Sequence, residues 1–383
     1  VLEISGTLEG TVVAWTDSVD VHVTGDLVVP AGSRLEVREG TRVLFASRAN
    51  LIVEGELVIA GTREAPVLFA SRSAAEPWGG VVIDRGTMTA EHAFFVNAGA
   101  DETRAFSHSN SQAVLYFGSA DGTLSHVYLM DNVGKGIGGT SSVVRFDRGL
   151  ITRSDTGGEV HYGVTRISNS HILEIPNADG VPVDDDNDGF YFFEAHRELD
   201  DFSRVERTFV MVGKDDAIDH NHAKLEIVGS WLEGFAHECV AGSSGNEVRI
   251  LSSVLRDCEQ GVEAGYGAPT VVVDHSVIVD NRVGVRFGDS YTNPLDGHIT
   301  VTNSILFGNE DDVLNLDMSS GGPVPGAITL MQTLANDTDT AGCSGCIGGE
   351  PQFDDGYFLM SGSPGTGAAS DGSDLGLVRD AWD

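Results

Sequence analysis

Asp215-Asp216-Ala217-Ile218-Asp219 is the first of five copies of one short phrase that recurs along the chain. The other copies are His237-Glu238-Cys239-Val240-Ala241, Glu259-Gln260-Gly261-Val262-Glu263, Arg282-Val283-Gly284-Val285-Arg286 and Glu310-Asp311-Asp312-Val313-Leu314. The central aliphatic residues stand at positions 218, 240, 262, 285 and 313, so successive copies are 22, 22, 23 and 28 residues apart. A fixed period of this length is the signature of a solenoid, in which each repeat is one coil.

A second apolar track runs in phase with the first. It follows Ser230, Ser253, Ser276 and Ser304, each of which precedes two apolar residues. The segments between turns are short, rich in Val, Ile and Leu, and alternate between apolar and polar residues, as β-strands do. A period of 22 residues holds three such strands and their turns. The repeat therefore predicts an all-β parallel β-helix.

Length and composition agree with one long solenoid domain. The chain has 383 residues, with 48 Gly and 11 Pro, and Gly suits coils that need several tight turns each. We expect a single domain over 1–383, with N-terminal coils at 1–85 and regular coils at 211–316. An acidic loop insertion at 176–210 interrupts the period, with a loop leaving the coils at 193–208, and 317–383 form the C-terminal coils and cap.

The charge excludes one class of partner. The formal net charge is −35 at pH 7, from 58 acidic and 23 basic residues. Nucleic acid is therefore not an expected partner, because phosphate binding needs Lys and Arg. A polyanion of any kind would need intervening metal ions. No apolar run reaches the length of a membrane span, and the start at Val1 reads like a trimmed mature chain, so we expect a secreted or cell-surface protein.

Both ends of the chain carry phrases typical of one superfamily. Near the N-terminus they are the runs at 25–45, 51–62 and 78–83 (GDLVVPAGSRLEVREGTRVLF, LIVEGELVIAGT and WGGVVI), and near the C-terminus they are Pro351-Gln352-Phe353 and Gly362-Ser363-Pro364. These phrases resemble bacterial right-handed parallel β-helix proteins of the pectin-lyase-like superfamily. The resemblance implies the fold. It leaves the function open, because that superfamily includes lyases, hydrolases, epimerases and non-catalytic surface proteins.

An acidic knot at 184–190 has the spacing of a calcium loop. Carboxylates at alternate positions, Asp184, Asp186 and Asp188, precede a Gly that permits a sharp turn. An EF-hand would need a Glu at position 12, where Ala195 stands, so a calcium loop of another kind is expected. The alternative is a solvated acidic turn without a cation.

Stacking the repeats brings further charged groups onto one face, since neighbouring coils lie about 4.8 Å apart. One outward column holds Asp219, Ala241, Glu263 and Arg286, and a second holds Asp215, His237, Glu259, Arg282 and Glu310. The mixture resembles calcium-dependent β-helix lyases, in which aspartates hold the metal and one basic side chain removes a sugar proton. Carried over by position, the resemblance implies calcium on Asp184, Asp186, Asp188, Asp215 and Asp216, with Lys214 or His220 as the base and Arg286 as the clamp for the sugar carboxylate.

Other interpretations of the same residues stay open. Paired carboxylates, Glu238 with Glu263 or Asp219 with Glu263, would suit hydrolysis of a polysaccharide. His220 and His222, together with His237, could instead hold a transition metal in a metal-delivery protein. A solvated β-helix face also looks like these columns, and the chain would then be a non-catalytic surface module with structural calcium.

The four cysteines give two further expectations. Cys343 and Cys346 are close enough in sequence to close a small disulfide loop, whereas a redox or zinc motif would need partners that the sequence lacks. We expect buried thiols at Cys239 and Cys258.

Overall fold

The computed structural model describes residues 1–175, 186–288, 295–317 and 324–382. Two compact units divide them. The N-terminal unit comprises 1–190 with 195–201, and the C-terminal unit comprises 191–194 with 202–383. Each is built from stacked coils of parallel strands, so the right-handed parallel β-helix predicted from the repeat is confirmed.

The strands are short and follow one another in chain order. The first nineteen are β1 (Leu2–Thr7), β2 (Val12–Trp15), β3 (Val21–Val29), β4 (Arg34–Arg38), β5 (Arg42–Phe45), β6 (Leu51–Val53), β7 (Glu56–Ala60), β8 (Val67–Ser71), β9 (Val81–Asp84), β10 (Thr87–Val96), β11 (Ala113–Gly118), β12 (Asp121–Met130), β13 (Lys135–Thr140), β14 (Val143–Asp147), β15 (Leu150–Thr152), β16 (Gly158–His161), β17 (Val164–Ser168), β18 (His171–Leu173) and β19 (Phe190–Phe193).

The remaining strands belong to the C-terminal unit. They are β20 (Ser203–Glu206), β21 (Phe209–Gly213), β22 (Ile218–Asn221), β23 (Leu225–Val228), β24 (Trp231–Phe235), β25 (Glu238–Ser243), β26 (Glu247–Leu251), β27 (Val254–Arg256), β28 (Gln260–Ala264), β29 (Thr270–Asp274), β30 (Val277–Val279), β31 (Val283–Phe287), β32 (His298–Thr302), β33 (Ile305–Phe307), β34 (Asp311–Leu314), β35 (Leu316–Asp317), β36 (Val324–Pro325), β37 (Ile328–Met331) and β38 (Gly342–Ser344). Two 3₁₀ turns complete the elements, at Glu102–Arg104 and Arg379–Ala381.

Three parallel sheets run along the N-terminal unit. One is β2–β4–β7–β10–β12–β14–β17, and a second is β3–β5–β8–β10–β12–β15–β18. The third is β3–β6–β9–β11–β13–β16, and it carries the groups that matter below. β10 and β12 belong to two sheets each because they bend at a corner, where His92 and His126 interrupt the strand pairing.

The C-terminal unit repeats this plan, and its register confirms the repeat. In the sheet β22–β25–β28–β31–β34, the anchors pair directly as Ile218 with Val240, Val240 with Val262, Val262 with Val285, and Val285 with Val313. All five anchors are buried, and burying each such side chain contributes about 1.5–3 kcal/mol. The outward column also forms as predicted, because Asp219 pairs with Ala241, Ala241 with Glu263, and Glu263 with Arg286.

The serine track is a buried hydrogen-bond ladder. The backbone N–H of Ser230 donates to Ser253 Oγ, that of Ser253 to Ser276 Oγ, and that of Ser276 to Ser304 Oγ, at 3.1–3.2 Å. Each hydroxyl in turn donates to the carbonyl two residues earlier in its own coil. A serine at this corner therefore satisfies both its own hydroxyl and a backbone donor that the turn would leave without a partner.

Two predictions about connections change in the structure. The loop predicted at 193–208 is shorter, because the strands Ser203–Glu206 and Phe209–Gly213 already pair with the following coil. Cys239 and Cys258 are not free thiols but form a disulfide, since they lie on neighbouring coils with their Cα atoms 5.7 Å apart. The predicted Cys343–Cys346 disulfide is present. No helix among the described residues is long and apolar enough to cross a membrane.

Candidate functional site

Four side chains meet where β22 and β25 begin. Asp216 lies two residues before the anchor Ile218, and Glu238 lies two residues before its partner Val240, so the register brings the two acids onto neighbouring coils. The backbone N–H of Glu238 donates to Asp216 Oδ1 at 2.8 Å. We call Asp215, Asp216, His237 and Glu238 the acidic cluster.

His237 is the centre of this cluster. Its Nδ1 lies 2.5 Å from Glu238 Oε2, 3.5 Å from Asp216 Oδ1 and 3.6 Å from Asp215 Oδ1. About a quarter of the His237 side chain is exposed, whereas only 1% of that of Glu238 is. Three carboxylates thus share one imidazole, which is the one member of the cluster that solvent reaches easily.

The pKa values of two of these carboxyl groups are raised. Burial raises the pKa of Asp216 well above its ordinary value and the charge of Glu238 raises it further, although the hydrogen bond with His237 opposes both. Burial likewise raises the pKa of Glu238, against hydrogen bonds with His237 and Asp216, and the charge of Glu263 adds to the rise. Perturbed acids of this kind mark candidate functional sites, because burying like charges together is unfavourable without a compensating cation.

A metal ion is one such cation, and the geometry fits one. Asp215, Asp216 and His237 each offer a ligand atom, and the three atoms lie within 4.8 Å of one another. Carboxylate oxygens are the preferred ligands of hard cations such as calcium, and an imidazole nitrogen extends the range to zinc and manganese. The structure thus brings together Asp215 and Asp216, both predicted as metal ligands. Their neighbours in the cluster are His237 and Glu238, which were not predicted as calcium ligands.

The other predicted metal ligands come from the acidic knot at 184–190. Asp184 falls outside the described residues. Asp186 and Asp188 belong to the N-terminal unit, where Asp186 Oδ1 lies 3.1 Å from His108 Nδ1 and Asp188 is buried. A site that combines them with Asp215 and Asp216 therefore stays a prediction.

Of the two predicted bases, His220 is placed where no polymer can reach it. It is fully buried, and its Nε2 hydrogen-bonds the Ala223 carbonyl at 2.6 Å. Burial lowers its pKa to about 4, so the ring is neutral at pH 7 and stabilises the turn that follows β22. Nor do His220, His222 and His237 form a metal-binding group among the described residues. Lys214 is also buried, next to Asp215 in the chain.

Glu263 and Arg286, predicted as a catalytic acid and a carboxylate clamp, lie one and two coils beyond the cluster. They are direct register partners on β28 and β31. Glu263 is fully buried and Arg286 half-buried. Their roles stay predictions. The structure adds that the charge of Glu263 raises the pKa of Glu238.

A second buried polar cluster, absent from the sequence-based prediction, lies in the N-terminal unit. Lys135 Nζ donates to Glu159 Oε2 and to the Phe106 carbonyl, both at 2.5 Å. Glu159 Oε1 lies 2.7 Å from His161 Nε2 and accepts the His108 N–H at 3.2 Å. Burial alone would raise the pKa of Glu159, but the hydrogen bond with His161 and the Lys135 charge lower it to about 2. We call Lys135, Glu159 and His161 the Lys–Glu–His cluster.

This cluster anchors a loop that builds a groove. Both Phe106 and His108, which it holds, lie in the loop 97–112 between β10 and β11. Two adjoining cavities of about 240 and 460 Å³ lie beside the loop and share Val82, Arg104 and Tyr116 as lining residues. The groove thus offers an aromatic ring, a guanidinium group and hydroxyl groups on one face, which is the combination that sugar rings contact.

Neither Lys135 nor Glu159 was predicted from the sequence as a functional residue. In the coil of Glu159 a glycine replaces the aliphatic anchor: Gly158 pairs with Ile137, and a Cβ added to Gly158 would lie 2.4 Å from the Phe190 ring. Phe190 of β19 fills the space that an anchor side chain would occupy. The repeat is therefore not visible in the sequence here, although the structure keeps the coil. A Lys within a Gly-rich strand start was the available signal, and it is a weak one.

No protein-family model matches the chain, and no curated protein matches it. Among solved structures, a mutant of the periplasmic alginate epimerase AlgG is 12% identical with a TM-score of 0.54, over 84% of this chain and 77% of that one. A mutant of the alginate lyase AlyGC is 12% identical with a TM-score of 0.50, over 94% of this chain.

The chain spans 59% of the length of that lyase. At 12% identity these likenesses establish the fold and leave the activity open. The resemblance in the terminal coils and the similarity to solved structures agree, and the chain has the architecture of the right-handed parallel β-helix proteins.

Proposed function

We propose that this protein binds calcium at the acidic cluster and cleaves an acidic polysaccharide by a lyase-type reaction. The observation that carries the proposal is the meeting of Asp215, Asp216 and Glu238 around His237, with buried carboxyls whose pKa values are raised. The names of the two similar structures, an alginate epimerase and an alginate lyase, support a uronic-acid polymer as the substrate class.

The chemistry asks for two functions near the sugar. A bound calcium ion would neutralise the sugar carboxylate and so acidify the adjacent C5 proton. Asp215 and Asp216 would hold that ion. His237, whose side chain is about a quarter exposed, is the proposed base, with Lys214 as the alternative base. Arg286 remains the proposed contact for a neighbouring sugar carboxylate.

The groove of the N-terminal unit supports a sugar-binding role independently. Tyr116 lines both cavities, and its hydroxyl lies 3.2 Å from Thr140 Oγ1, which fixes the ring. Arg104 lines both cavities too, with its guanidinium only loosely paired with Asp101, 3.5 Å away. A fixed aromatic ring beside a guanidinium suits a sugar that carries a carboxylate.

Burial of the carboxylates favours a second candidate function. Only 5% of the Asp215 side chain and 1% of that of Glu238 are exposed, so a cation held there could stiffen the coils without meeting a substrate. The protein would then be a non-catalytic surface module with structural calcium. Either version fits a secreted or cell-surface protein, because two disulfides are stable in an oxidising compartment.

The test is a screen of uronic-acid polymers for the ultraviolet absorbance of unsaturated chain ends, with calcium and with chelator. We expect calcium-dependent product from the wild type, a loss of about a hundredfold or more in Asp216→Asn and His237→Ala, and none in Asp257→Asn, which alters an exposed aspartate outside the cluster. Calcium binding without product on any polymer would support the surface module. Absence of calcium binding would reject both functions.

A further inference from the structure

Two histidines occupy the same corner on successive coils of the N-terminal unit. His92 interrupts β10 and His126 interrupts β12, and the flanking residues pair directly across the coils. Both have the left-handed backbone conformation, with φ of 48° and 53°. Arg148 and Asn169 have it at φ 51° and 50° in the corners that precede β15 and β18. Because Arg and Asn adopt the same conformation in the neighbouring corners, the turn does not by itself require a histidine.

The two imidazoles lie side by side. Their ring centroids are 4.4 Å apart and their planes differ by 22°. Glu91, which precedes His92, is exposed and completes the group, because one ligand atom from each of Glu91, His92 and His126 lies within 4.8 Å of the other two.

Neighbouring side chains orient the His126 ring and balance the charge beside it. Its Nδ1 lies 3.0 Å from Ser125 Oγ, which orients the ring as hydrogen-bonded neighbours of metal ligands do. Asp147 lies 2.5 Å from the Arg148 guanidinium and so offsets the repulsion that Arg148 would exert on a cation.

We propose that Glu91, His92 and His126 bind a transition-metal dication of the zinc class. Two imidazoles and one carboxylate are the protein ligands of zinc sites that keep a position open for water. Calcium is not the expected ion, because its ligands are oxygens and this group offers two nitrogens. The site lies in the N-terminal unit and is independent of the calcium site proposed above.

The experiment is a calorimetric titration of the chelator-treated full chain with zinc chloride, followed by cobalt substitution to record the ligand-field spectrum. Four variants test the site: His92→Ala, His126→Ala, Ser125→Ala and, as a matched control in the same unit, His22→Ala. His237→Ala, in which the acidic cluster loses its nitrogen ligand, separates any zinc bound there. Thermal unfolding curves check that each variant is folded.

We expect one zinc equivalent to disappear in His92→Ala and in His126→Ala, and to persist in His22→Ala and His237→Ala. Ser125→Ala should keep the site but weaken it about tenfold, as loss of an outer hydrogen bond to a ligating histidine does. The proposal is overturned if the wild type binds no zinc, or if folded His92→Ala and His126→Ala retain the full stoichiometry.

Discussion

The N-terminal and C-terminal units each bury a charged cluster at the start of a strand, yet the two clusters are balanced differently. In the Lys–Glu–His cluster a buried lysine faces a buried carboxylate at 2.5 Å, and the pKa of Glu159 falls to about 2. In the acidic cluster three carboxyls surround one imidazole, and the pKa values of Asp216 and Glu238 rise. In the first cluster one carboxylate has a lysine and a histidine beside it, whereas in the second three carboxyls share one imidazole.

This difference separates a structural role from a functional one. A buried ion pair with additional hydrogen bonds can hold a loop in place, as the Lys–Glu–His cluster holds 97–112. Carboxyl groups held close together repel one another when ionised, so they favour a bound proton or cation. The partly exposed His237 lets solvent reach this group.

The largest effect is expected from breaking the balanced cluster. Lys135→Met leaves the Glu159 charge buried without its partner, and we expect the free energy of unfolding to fall by about 3–5 kcal/mol in urea titrations. The control is Arg34→Met, which breaks the exposed Arg34–Glu56 pair and should cost about 0–1 kcal/mol. Lys135→Met with Glu159→Leu should recover most of the loss. Equal losses in Lys135→Met and Arg34→Met would show that the buried pair is not special.

A disulfide secures the strand that carries the acidic cluster. Cys239 follows Glu238 and pairs with Cys258, 19 residues later, so replacing both by Ala should lower the free energy of unfolding by about 3 kcal/mol. The Cys343–Cys346 pair closes a much shorter loop, and its removal should cost about 2 kcal/mol. Urea titrations of the two double variants give the comparison. A smaller loss for the longer loop would contradict the chain-entropy argument.

Neutralising one carboxyl should act in opposite directions in the two clusters. In chelator at pH 7, Glu238→Gln removes repulsion and should raise the free energy of unfolding by about 1–2 kcal/mol, whereas Glu159→Gln should lower it. Glu238→Gln should also weaken calcium binding. Thermal unfolding and calorimetry measure both consequences. Destabilisation by both variants would mean that the acidic cluster is already balanced.

The pH dependence of stability should differ in sign between the clusters. The pKa of Glu159 is lowered from its ordinary 4.5 to about 2, so its stabilising effect is complete above pH 4.5 and is lost as the pH falls toward 2. The pKa of Glu238 is raised, so its effect is complete below pH 4.5 and is lost as the pH rises through the raised value. Hydrogen exchange of β16 and β25 at pH 3, 5 and 7 in chelator should show opposite trends. The same pH trend in β16 and β25 would contradict the difference in charge balance between the two clusters.

The sequence predicted the fold where each coil carries its own anchor. Ile218, Val240 and Val262 stack as their spacing indicated, and the same spacing brought Asp215 beside His237. The prediction failed where a side chain from a neighbouring coil fills the core position. Gly158 hides the period because Phe190 fills its space, and the contact of Lys135 with Glu159 spans coils whose register the sequence did not reveal.

Burial was the property that the sequence could not supply. The alternative interpretation took the outward columns for a solvated face, yet Glu263 on such a column is fully buried, and so is His220, predicted as a base. Only the packing of turns around each strand decides which polar side chains lose water. The predicted metal ligands Asp215 and Asp216 therefore gain their significance from neighbours, His237 and Glu238, that had other roles or none in the prediction.

The most direct test of this account is a calorimetric calcium titration of the chelator-treated protein, beside Asp215→Asn, Asp216→Asn and the exposed control Asp257→Asn. The account predicts saturable calcium binding in the wild type and in Asp257→Asn, with affinity reduced at least about tenfold in the two cluster variants. Binding that is unchanged in Asp215→Asn and Asp216→Asn, or no binding in the wild type, would contradict it.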